Sequence, residues 1–169
     1  MADTRLAASG LAALGALAPG EAREAFLGCC ASERWATEMV AGGPYGSPEA
    51  LMARAEAAFA TLTREEWLEA FAAHARLGAP RPDDERGASE QAGAASASAA
   101  ERAALQDGNA RYEAKFGHVF LIRARGLDAG AMLAALRERL ANRPERELAI
   151  AAAQQREITR LRLEALLES

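Results

Sequence analysis

Apolar positions along this chain recur at intervals of three and four residues, and Pro- or Gly-bearing breaks interrupt the recurrence. Leu6, Leu11, Leu14 and Leu17 predict a short first helix ended by "APG", residues 18–20. A second is predicted from about Glu21 to Ala41, with Phe26, Cys30, Trp35 and Met39 facing inward and "GGPYG" stopping it. Ser47 before Pro48 marks a further start: the hydroxyl can satisfy free N–H groups of the first turn, where proline loses no bond. Thr63 with Glu66, and Ser98 with Glu101, have the spacing of capping boxes, in which each side chain serves the other residue's backbone N–H.

The helix opened by Thr63 puts Trp67, Phe71 and His74 on one face, so His74 is expected to point toward the core. The stretch "GAPRPDDERGA" that follows reads as a loop, with a helical or turn segment restarting at Ser89. The Ser98 helix carries Leu105, Asn109, Tyr112 and Phe116 and halts at Gly117. "HVFLI", residues 118–122, is the one run without helical periodicity and is expected to be extended. Asp128 can cap a helix with Met132, Leu133, Leu136 and Leu140 inside, and Asn142 and Pro144 begin a last helix reaching about Leu167. In that last helix Leu148, Ala152, Gln155, Thr159, Arg162 and Leu166 share a stripe. The fold class expected is all-α: a compact single-domain bundle of about seven or eight helices with one extended connecting segment.

Composition supports this. The 169 residues suit one core and are short for two, and aromatics at 5% beside abundant alanine favour closely packed helices. Net charge is −4 and the arginines are dispersed among acidic neighbours, so no basic stripe exists to bind nucleic acid. The adjacent Cys29 and Cys30 lack a CxxC partner and read as reduced core thiols, which fits a cytoplasmic location. The opening "MADTRLAASGLAALGALAPGEA" imitates a secretion signal, but Asp3 cancels Arg5 and no basic leader region remains. No run approaches the ~18 apolar residues of a spanning helix, so no membrane partner is expected.

Few residues suggest chemistry. His74 is either a structural side chain near a helix end or a proton-handling group, and periodicity leaves both open. His118 follows a turn glycine and has the weaker claim to a role. Glu90 lies across a loop from His74; a carboxylate there would hold the ring in one tautomer and raise its basicity, while the plainer alternative is a solvated glutamate near a helix start. Arg162 sits by apolar territory, where it either snorkels to the rim or grips a substrate carboxylate through paired hydrogen bonds. There is no phosphate-binding glycine loop, metal-ligand spacing or GxSxG elbow. Any enzyme built from these parts would use proton transfer and charge stabilisation without a cofactor or metal.

Five segments in order, "LGCCASERWATEMV", "WLEAFAAHARLG", "SEQAG", "GNARYEAKFGHVFLI" and "ERLANRPERELAIAAAQQREITRLRLEALL", resemble the 2-oxo-4-hydroxy-4-carboxy-5-ureidoimidazoline (OHCU) decarboxylases of urate breakdown, from about Ala22 to Leu167. The resemblance implies an all-helical, homodimeric, cofactor-free enzyme that converts the small ureidoimidazoline substrate to (S)-allantoin and carbon dioxide, with a hydroxyisourate hydrolase as a functional partner. It implies that His74 is the catalytic histidine with Glu90, that Gln91 lies at the substrate pocket, and that Phe120, Leu121, Ile122, Arg123 and Ala124 offer backbone groups to the ligand. Arg162 matches the family's arginine in the final helix. Three positions depart from the family pattern: Ala75 replaces a proline, Gly87 stands where a serine is common, and Arg123 occupies a position often small or thiol-bearing. These departures keep two alternatives open: a binding or scaffold protein that retains the fold, or a lyase or hydrolase for a related ureido compound.

Overall fold

The computed structural model describes residues 2–169, with side chains from residue 8 onward, so the side chain of Leu6, one of the four leucines that predict the first helix, lies outside the described ones. The fold is all-α: the described residues form nine α-helices and one short 3-10 turn, with no strand beyond an isolated bridge between Arg76 and Ala79. The helices pack in two units, Met1–Ala70 with Arg156–Ser169, and Phe71–Gln155.

The first unit contains α1 (Ala2–Ala16), α2 (Pro19–Cys29), α3 (Glu33–Gly42), α4 (Pro48–Phe59) and most of α5 (Arg64–Ala72). The single helix expected from Glu21 to Ala41 is in fact two. Cys30 and Ser32 adopt extended backbone angles, and the Ser32 hydroxyl accepts the N–H of Trp35 at 3.3 Å to cap α3. Because Phe26, Cys30, Trp35 and Met39 are all buried on either side of this break, the apolar period passes through it unchanged. Trp35 stacks on Phe59 and Phe59 on Trp67, each at 5.3 Å between centroids, and Phe26 meets Trp35 edge-on at 6.1 Å. Such ring pairs add roughly 0.5–1.5 kcal/mol each beyond the area they bury. The Trp35 indole N–H is satisfied by the Ala55 carbonyl at 3.2 Å, so the large ring is buried without a polar cost.

The second unit contains α6 (Glu85–Glu90), the 3-10 turn (Ala92–Ala94), α7 (Ala99–Phe116) and α8 (Ala129–Arg139), with the opening part of α9 (Pro144–Glu168). Its core gathers Leu77, Leu105, Tyr112, Phe116, Phe120, Met132 and Leu136. The capping boxes at Thr63/Glu66 and Ser98/Glu101, and the caps at Ser47 and Asp128, form as the sequence predicts. At the end of α7, Gly117 takes φ +77°, a left-handed angle that a side chain would strain, and releases the chain into the non-helical run 118–124.

A buried polar cluster fixes that run. Glu147 is fully buried and accepts from the Tyr112 hydroxyl at 2.5 Å, from Arg139 Nε at 2.7 Å and from Asn142 Nδ2 at 2.9 Å. Arg139 also donates from Nη1 to the Leu121 carbonyl at 2.6 Å and lies over the Phe120 ring at 4.4 Å. A carboxylate in such a place is tolerable only because its oxygens are bonded by a cation and two neutral donors. Burial first, and then the hydrogen bond to Glu147, push the Tyr112 phenol above its ordinary pKa.

Candidate functional site around His74

α5 ends at Ala72, so His74 lies just past the helix rather than on its inward face. Trp67 and Phe71 are buried as expected, whereas His74 is half-buried in the turn. The chain leaves the helix here because side-chain and turn contacts replace helical bonds. The His74 N–H still reaches the Phe71 carbonyl at 3.1 Å, while Arg76 forks onto Glu113 through bonds of 2.7 and 2.9 Å. Hydrogen bonding to Arg76 holds the Glu113 carboxyl below the usual carboxylate range. The Leu77 carbonyl accepts from buried Asn109 at 2.8 Å, and Gly78, at φ +78°, donates its N–H to Gln91 Oε1 at 2.8 Å. A φ of that sign is glycine's province.

The imidazole is held from α9. His74 Nε2 lies 2.8 Å from Oε1 of Gln155, a fully buried residue. The neighbouring Gln154 accepts the Arg123 N–H at 2.8 Å. Two consecutive glutamines therefore bind the histidine and the non-helical run 118–124. One consequence is that the Arg123 N–H, expected to serve a ligand, already has a partner in the chain, as does the Leu121 carbonyl. The Arg123 side chain is exposed, and Phe120, Leu121 and Ala124 are buried, with Ile122 half-buried.

Glu90 is the last residue of α6 and half-buried. That helix begins at Glu85, four residues ahead of the predicted restart at Ser89, because Asp84 caps it by accepting the Gly87 N–H at 2.8 Å. Gly87 is buried, and a Cβ built there would collide with the Asp84 carboxylate. The missing serine is thus matched by a carboxylate that occupies the space its side chain would need. Ala75, the second departure, is half-buried in the turn beside His74.

His118 is also half-buried. Its Nδ1 lies 3.0 Å from the Val119 carbonyl, and its ring packs 5.2 Å from Phe71 and 5.5 Å from Tyr112. In the first unit, Arg162 is half-buried and close enough to Cys30 to oppose the rise in its thiol pKa. Burial dominates there and pushes Cys30 up to about 12. A groove of about 790 Å³ in the same unit, lined by Met52, Phe59, Arg156 and Leu163 among others, contains none of the residues singled out from the sequence as site candidates. Among the described residues no His, Cys, Asp or Glu cluster is placed to hold a metal ion, and no helix is long and apolar enough to cross a membrane.

Gln154, Gln155, Asn109 and Arg76 are the residues that sequence reasoning missed as parts of this arrangement. Gln155 and Asn109 left a signal, each as a polar residue in line with apolar neighbours on its predicted helix.

An all-helical protein with a half-buried histidine held by a buried amide, beside a backbone run pinned by polar side chains, has the parts for proton transfer. The family model described as OHCU decarboxylase matches residues 15–164, and the chain belongs to that family. It is 41% identical over 145 residues to the uric acid degradation bifunctional protein TTL of Arabidopsis thaliana, a match covering 82% of this chain and 45% of that protein. The chain thus spans less than half the length of this curated relative. A crystal structure of an OHCU decarboxylase in the presence of (S)-allantoin is similar with a TM-score of 0.76 at 36% identity, covering 85% of this chain and 97% of that one. A crystal structure of an (S)-allantoin synthase shares the fold at 22% identity, with a TM-score of 0.70 over 92% of this chain and 53% of that one.

Proposed function

We propose that the chain is a carboxy-lyase that decarboxylates OHCU to (S)-allantoin and carbon dioxide without a cofactor. The observation that carries this reading is the family match over residues 15–164, which includes every residue assigned by resemblance.

Loss of carbon dioxide leaves an electron pair on the former carboxylate carbon, so the protein must stabilise charge and deliver a proton to one face. His74 is the group for the proton, either deprotonating the substrate hydroxyl or protonating the carbon, with Glu90 raising its basicity. Backbone donors of the run at Phe120, Leu121, Ile122 and Ala124 suit the developing charge, because groups already fixed in place need no reorganisation. Gln91, Ala75 and Gly87 contribute to substrate placement, and Arg162 grips a polar part of the ureido ring by paired hydrogen bonds. A homodimer, a hydroxyisourate hydrolase as functional partner, and a reducing cytoplasmic setting for the unbridged thiols of Cys29 and Cys30 belong to the same proposal.

The test generates OHCU from urate in situ and follows optical activity as (S)-allantoin accumulates. Single-enantiomer product above the uncatalysed background is the expected result. His74→Ala should lose roughly 10²–10⁴-fold in rate with helix content unchanged, the range of a positioned acid or base. A flat trace from folded wild-type protein overturns the decarboxylase reading in favour of a binding role.

A further inference from the structure

The geometry of the hydrogen bond on His74 carries more than its presence. Gln155 is fully buried, and a buried amide must use its polar atoms on partners of the correct polarity. The atom it presents to His74 Nε2 at 2.8 Å is Oε1, which only accepts. Nε2 must therefore carry a hydrogen. Were it bare, two lone pairs would face each other at hydrogen-bond distance, and the buried amide oxygen would lose the donor that offsets its desolvation.

A neutral imidazole with its hydrogen on Nε2 has its lone pair on Nδ1. His118 has the opposite arrangement. Its Nδ1 lies 3.0 Å from the Val119 carbonyl, again an acceptor, a contact that calls for the hydrogen on Nδ1 and the lone pair on Nε2. The chain contains only 2 histidines, and these two contacts call for one ring of each tautomer.

We propose that Gln155 is a positioning residue that holds His74 as the Nε2–H tautomer and so makes Nδ1 the atom that takes and returns protons. This rests on the decarboxylase reading for its consequence, though not for the tautomer itself. The amide is well placed for this, being set in α9 one residue from Gln154, which is tied to the Arg123 N–H, so ring and non-helical run are oriented from one rigid element. A ring free to exchange tautomers would present a lone pair at Nδ1 only part of the time.

The experiment is nitrogen NMR of the full chain labelled at histidine, recorded where both rings are neutral, with His74→Ala used to assign the two spectra. Wild-type protein should show a protonated Nε2 and bare Nδ1 for His74, and the reverse for His118. Gln155→Met should mix the His74 tautomers, leave His118 unchanged, and lower kcat roughly tenfold or more with KM little altered, part of the 10²–10⁴ that positioned acid–base catalysis supplies. Gln155→Glu keeps an accepting oxygen and should restore the Nε2–H signature. A wild-type His74 protonated on Nδ1 overturns the proposal, because the amide would then be donating. Full kcat in a folded Gln155→Met protein with mixed tautomers overturns it equally. Should Gln155→Met fail to fold, the wild-type and Gln155→Glu spectra still decide. Wild-type protein inactive on OHCU, with the expected spectrum, would instead refute the substrate assignment and leave the tautomer standing.

Discussion

Gln91 Oε1 accepts the backbone N–H of Gly78 at 2.8 Å, tying the end of α6, where Glu90 sits, to the turn that carries His74. The contact links two short segments that have no helical bonds in common. Gln91→Leu removes the acceptor and leaves the part-buried Gly78 N–H without it. We expect a stability loss of about 1–2 kcal/mol and faster amide exchange at residues 76–79. Urea unfolding with hydrogen-exchange mass spectrometry checks this, and unchanged exchange at Gly78 would show that the turn holds itself.

The cluster at Glu147 predicts an asymmetry. Glu147→Leu leaves Arg139 buried without its counter-charge and should cost about 3–5 kcal/mol. Replacing Glu147, Arg139 and Tyr112 together with Leu, Met and Phe should cost less than the single change, since no buried charge remains. Denaturant midpoints of the two proteins decide it.

Gly87 and Asp84 should behave as one unit. Gly87→Ser pushes the Asp84 carboxylate from the position where it caps α6, at a cost of about 1 kcal/mol. Asp84→Ala should cost about as much, and the double variant little more than either single one, because both remove the same cap. A double-mutant cycle in thermal unfolding reads this directly, and additive losses would separate the two residues.

Cys30 gives a pH dependence. Its thiol is raised from 9.0 to about 12 by burial, against the opposing Ser32 and Thr159 hydrogen bonds and the charge of Arg162. The native state therefore keeps a proton that the unfolded chain releases first. The stabilising contribution is complete below pH 9 and is lost as pH rises toward about 12. Stability curves of wild type and Cys30→Ala should differ in slope above pH 9, the wild type falling more steeply. A thiol reagent at about pH 8 should leave both cysteines of the native chain unmodified and react with both in urea.

Local chemistry was legible wherever a residue and its partner lie within one turn. Ser47, Thr63 with Glu66, Ser98 with Glu101, and Asp128 each satisfy free N–H groups three residues away, so their spacing was evidence enough. The non-helical run at 118–122 was visible for a similar reason, as the place where helical periodicity fails behind Gly117. The break at Cys30–Ser32 escaped because burial on both sides keeps the apolar period intact while a capping serine ends it. Motif resemblance supplied the family, which no periodicity could.

The order of residues was enough for the helical class, most helix starts, and a short roster of groups able to move a proton. It took packing in three dimensions to set His74 past its helix and bond it to Gln155, 81 residues away. Packing likewise joined Glu147 to Tyr112, 35 residues before it, and to Arg139. The reason is physical. A capping bond repeats at a fixed offset along the chain, whereas the partner of a buried polar group is whichever complementary atom the packed core delivers, and that choice leaves no period in the sequence.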